Sequence, residues 1–69
     1  MVIAGQKIRQ LREESGISQK TLGEIAGISQ NMILFLETDK KTTNVEVLAR
    51  IAAHFEIAID DLIKKKDAI

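Results

Sequence analysis

The side chains here that could do chemistry are amides, hydroxyls and lysines, not nucleophiles or metal ligands. The sequence has no Cys and one His, His54, so neither a thiolate site nor a zinc cage can be assembled. No nucleophile–base set and no paired catalytic carboxylates stand in it, which argues against an enzyme and leaves no cofactor to expect. Recognition chemistry remains. Gln30 and Asn31 are adjacent amides, and an amide can pair with N6 and N7 of adenine for roughly 1–3 kcal/mol of base discrimination. Ser29 precedes them, and Lys40, Lys41 and Thr42 follow in a polar stretch. The same residues are ordinary in a first helical turn and a solvated loop, and His54 reads as a helix-surface residue. Types alone decide nothing, so the spacing must.

Apolar spacing and cap residues divide the chain into about five short helices. The first is expected from about Ala4 to Glu14, with Ile8 and Leu11 inward and Gly16 just past its end. Ser18 can N-cap a second over Gln19–Ala26, closed by Gly27. Ser29 N-caps a third, Gln30–Glu37, with Ile33 and Leu36 inward and Gln30, Asn31 and Phe35 outward. A polar, basic loop spans Asp39–Thr43. Asn44 caps a fourth helix, Val45–Phe55, in which Val45, Leu48, Ala52 and Phe55 recur at helical spacing. Ile57 and Ile59 lead to a last helix near Asp60–Lys65, anchored by Leu62 and Ile63, with the Lys64–Lys66 run at its C-terminal end. No alternating strand pattern, repeat or linker interrupts this order.

The stretch from Ser18 to Glu37 carries the most information. Two helices of about eight residues are joined by Gly27-Ile28-Ser29. Gly27 supplies a positive φ, Ile28 tucks inward to fix the angle between the helices, and Ser29 starts the next helix. This is a helix-turn-helix arrangement, whose second helix can lie in a DNA major groove.

Taken whole, the chain resembles the phage-repressor and Cro-like (XRE) helix-turn-helix family from Ile3 to Ile63. The resemblance rests on an ordered set of residues. Gly5-Gln6-Lys7-Ile8, Leu11-Arg12, Gly16-Ile17-Ser18-Gln19 and Leu22 open it. Gly27-Ile28-Ser29-Gln30, Ile33 and Leu36-Glu37 continue it. Leu48, Ala52, Phe55, Ile57 and Ile59-Asp60-Asp61-Leu62-Ile63 complete it. It implies an all-α, compact five-helix, lambda-repressor-like domain over residues 1–69. It further implies a repressor-type regulator that binds a palindromic operator as a two-fold dimer. In that likeness Gln19 would meet a DNA phosphate at the start of the second helix. Ser29, Gln30, Asn31 and Phe35 would face the groove, and Lys40, Lys41 and Thr42 would meet the backbone. Arg12 and Glu37 match a structural ion pair tying the first helix to the third.

The sequence also departs from that family. Met32, Leu34 and Phe35 on the third helix, and Ile25 late in the second, stand where polar or basic residues are usual. Such residues would form an apolar patch on the face that should meet DNA, and contiguous apolar surface marks a partner site. A thymine methyl could accept one such contact but not four. Lys plus Arg number 10 and Asp plus Glu number 10, whereas nucleic-acid binders usually carry a basic excess. Between Ser29 and Thr43 the charges of Glu37, Asp39, Lys40 and Lys41 cancel. A basic face would need Lys7, Arg9, Lys20, Lys40, Lys41 and Arg50 to cluster. Asp39 replaces a helix-ending Gly, Ala58 replaces a capping Ser or Thr, and Thr43 replaces a Pro. A second reading therefore stands beside the first: a protein-interaction module, natural or redesigned, using Ile25, Met32, Leu34 and Phe35 to hold another protein or a second copy.

Length and composition bound both readings. Sixty-nine residues without disulfides must be held by core packing alone, and a hydrophobic fraction of 45% is ample for a small helical bundle. Phe35 and Phe55 are the only aromatics, so that core is Ile, Leu, Val and Ala. No run reaches the ~18 apolar residues of a membrane span, and Met1–Gly5 is not a signal peptide. A cytoplasmic protein without a membrane or small-molecule partner is the expectation.

Overall fold

The structure is a computed structural model that describes residues 2–64. In chain order it contains a short strand β1 (Val2–Ile3) and four α-helices: α1 (Gly5–Glu14), α2 (Gln19–Ala26), α3 (Gln30–Glu37) and α4 (Val45–Phe55). A single 3-10 turn (Ile59–Leu62) and a second short strand, β2 (Ile63–Lys64), follow. The four α-helices come in the expected order, with two corrections near the end of the chain.

The fifth helix is not α-helical. Ala58 supplies no side-chain cap, and the segment closes after one 3-10 turn. Ile63 and Lys64, expected inside a helix, are extended and pair antiparallel with Ile3 and Val2 respectively. The Ala4 N–H donates to the Leu62 carbonyl at 2.8 Å and extends this join. Two residues per strand are too few to leave an alternating signature in a sequence. Lys65 and Lys66 lie outside the described residues.

The three N-caps fall at the expected positions. Ser18 Oγ accepts from the Thr21 N–H, Ser29 Oγ from the Met32 N–H and Asn44 Oδ1 from the Val47 N–H, each at 3.0 Å. All four helices end alike, with a residue at positive φ: Gly16 (71°), Gly27 (76°), Asp39 (59°) and Glu56 (57°). The N–H after each reaches back five residues: Ile17 to Arg12 O, Ile28 to Gly23 O, Lys40 to Phe35 O and Ile57 to Ala52 O. This is the Schellman closure, which satisfies carbonyls that the helix leaves open. After three of the four positive-φ residues, the next residue is an isoleucine (Ile17, Ile28 and Ile57) that packs against the core.

That core consists of Ile3, Ile8, Leu22, Ala26, Ile33, Leu36, Val47, Leu48, Ile51, Ala52 and Leu62, with Leu11, Met32, Phe55, Ile59 and Ile63 packed around it. Val45 is a further correction, since its side chain is 55% exposed. The inward stripe of α4 is centred on Leu48 and Ile51. Val45 lies roughly a quarter-turn off that centre at 3.6 residues per turn, on the first turn, where little chain covers it.

Candidate nucleic-acid interface

α2 and α3 are held at their angle by close backbone approach. A Cβ built on Gly23, in the middle of α2, would lie 2.7 Å from the Ile28 carbonyl oxygen and 3.3 Å from Ser29. The turn therefore presses on α2 where no side chain fits. Gly27 makes the reversal itself, at a φ that costs an L-residue about 1–2 kcal/mol. Arg50 reaches across from α4, and its Nη1 donates to the Ala26 carbonyl at 3.2 Å, closing the C-terminus of α2. Neither Gly23 nor the Arg50 cap was anticipated from the sequence. A lone Gly inside a helical pattern was the available signal for the first; the second had none.

Glu37 ties α1, α2 and α3 together. Its carboxylate takes two hydrogen bonds from Arg12, Nε to Oε2 at 2.6 Å and Nη2 to Oε1 at 3.2 Å. Gln19 Nε2 donates to Oε1 at 3.1 Å, and Arg12 Nη1 also closes on the Ile17 carbonyl at 3.0 Å. Glu37 is 5% exposed, so this is a buried charge with both carboxylate oxygens hydrogen-bonded. The hydrogen bonds that Arg12 donates to Glu37 raise its pKa above the usual value, against the opposing effect of desolvation. The expected pair is therefore present. Gln19, expected at a phosphate, directs one amide N–H inward to Glu37 and keeps a second.

α3 presents two unlike faces. Ile33 and Leu36 are fully buried, while Ser29, Gln30 and Asn31 are exposed. Gln30 and Asn31 make no side-chain hydrogen bond within the described residues. The four apolar residues expected as a patch differ in exposure. Met32 leans onto the core, Ile25 and Phe35 are half-buried, and Leu34 is 42% exposed. Lys41 Nζ sits 4.9 Å from the centroid of the Phe35 ring, a cation–π distance.

The cations are unequal in availability. Arg9 pairs with Glu13 at 3.5 Å, Arg12 is committed to Glu37, and Arg50 is shared between Glu46 and Ala26. Lys20, on the first turn of α2, and Lys40, Lys41 and Thr42, after α3, are exposed on either side of the outward amides in sequence. Lys7 is exposed on α1.

A helix-turn-helix family profile matches residues 8–62. The chain is 30% identical over 64 residues to the HTH-type transcriptional regulator SinR of Bacillus licheniformis, covering 91% of this chain and 58% of that protein. It is 32% identical over 56 residues to an uncharacterized HTH-type transcriptional regulator of Archaeoglobus fulgidus, covering 81% and 80%. Among solved structures, the P22 c2 repressor in complex with a synthetic operator matches with a TM-score of 0.84 at 27% identity, over 96% of this chain and 100% of that one. The chain belongs to the helix-turn-helix family, within which these relatives are regulators and not enzymes. It spans little more than half the length of SinR.

Proposed function

We propose that this chain binds duplex DNA sequence-specifically, with α3 in the major groove, as a repressor-type transcriptional regulator. The observation that carries the reading is the division of α3. Its buried face fixes the helix to the body, while Gln30 and Asn31 stand outward with their hydrogen-bonding capacity unspent. Ser18 satisfies Thr21 at the start of α2. The remaining opening N–H groups there, with the second amide N–H of Gln19 and with Lys20, suit a phosphate. Lys40, Lys41 and Thr42 suit the backbone on the other side. Two copies on a palindromic operator would place their α3 helices about one helical turn, ~34 Å, apart. With duplex DNA as ligand, the expected compartment remains the cytoplasm.

A protein-docking role for the α3 face has less support. Met32 packs against the core and Lys41 lies over Phe35, so less apolar surface is open than four residues would offer.

The test is titration into mixed-sequence duplex at low salt. With about three lysines per copy neutralising phosphates, log K should fall with log salt at a slope of about −3 per copy. No binding at tens of micromolar protein in low salt would defeat the reading.

A further inference from the structure

We infer that Leu34 reads thymine: it contacts the C5-methyl group of a thymine in the operator half-site while Asn31 pairs with an adenine nearby. The inference rests on the DNA-binding reading and specifies what that site selects. Leu34 follows Gln30 by four residues and Asn31 by three, so on a helix it shares their outward face. It is 42% exposed, one of only two large hydrophobic residues so open among those described, the other being Val45 on α4. The neighbouring apolar side chains are otherwise engaged. Met32 packs on the core, Phe35 is half-buried beneath Lys41, and Ile25 is half-buried on α2.

In the major groove, the one apolar group on a base edge is the thymine methyl. An exposed leucine beside two amides therefore matches A·T pairs and matches cytosine poorly. Leu34 has no hydrogen bond to offer that would distinguish guanine.

The experiment selects the tightest-binding duplex from a randomised 20-base-pair library (a length of roughly two helical turns). Each thymine is then replaced in turn by deoxyuridine, which removes the methyl and leaves base pairing intact. One thymine per half-site should weaken binding about fourfold on replacement, the loss expected for one buried methyl-sized group. Leu34→Ala should bind the thymine and deoxyuridine duplexes equally, with unchanged helicity. Indifference of the native protein to every replacement, or a methyl dependence that survives in Leu34→Ala, would overturn the inference while leaving DNA binding standing. Failure to recover or bind any duplex would remove both.

Discussion

At the scale of single residues, α3 divides its side chains between a buried face and an outward one proposed to read bases, and the two groups should respond differently to substitution. Asn31→Ala should weaken binding to the selected operator by roughly 1–3 kcal/mol and relax preference at one base pair. Lys41→Ala should weaken all duplexes alike and make the salt slope shallower by about one unit. Parallel fluorescence-anisotropy titrations against selected and scrambled duplexes would distinguish these. Arg12, on α1, holds α3 through Glu37. Arg12→Ala leaves the Glu37 carboxylate buried without its main partner and should cost about 3–5 kcal/mol in urea unfolding. Arg12→Met with Glu37→Leu should cost far less, because no charge is then stranded. The sequence allowed the inward Ile33 and Leu36, the outward Gln30 and Asn31 and the Arg12–Glu37 pair to be anticipated, since helical spacing and a family likeness both address them. Met32 and Phe35, by contrast, are more covered than expected. The inward turn of Gln19 toward Glu37 was not legible. It depends on how far apart two helices lie, which spacing along one helix does not report.

At the scale of elements, the caps make the chain's punctuation readable and also show where it is strained. Ser18, Ser29 and Asn44 announced three helix starts, and Gly16 and Gly27 two helix ends. The other two ends place Asp39 and Glu56 in the same left-handed conformation. Asp tolerates that region better than Glu, whose longer side chain offers no comparable local hydrogen bond. Glu56→Gly should therefore stabilise the fold by about 1 kcal/mol, raising Tm by about 4–8 °C in a domain this small, as read by thermal circular dichroism. The terminal elements were harder to foresee. With Ala58 giving no cap, Ile59–Leu62 winds only one 3-10 turn before Ile63 goes to pair with Ile3. That choice is made by a partner sixty residues away in sequence, and local pattern cannot see it.

At the scale of the whole molecule, zero net charge and the proposed DNA-binding role are compatible because the charges are unevenly committed. The three arginines are held by internal partners, and exposed lysines lie before and after α3. Composition sums the charges and hides that distribution, which is one reason, beside the apolar residues of α3, that the sequence left two readings open. The clamp on Glu37 has a kinetic corollary. One carboxylate on α3 is gripped from α1 and α2 at once, so the helix proposed to enter the groove is already oriented in the free protein. Encounter then incurs little ordering entropy. Mixing the protein with excess operator in a stopped-flow instrument should give a single phase whose rate climbs linearly with DNA concentration. A plateau would reveal a rearrangement that the clamp ought to have made unnecessary.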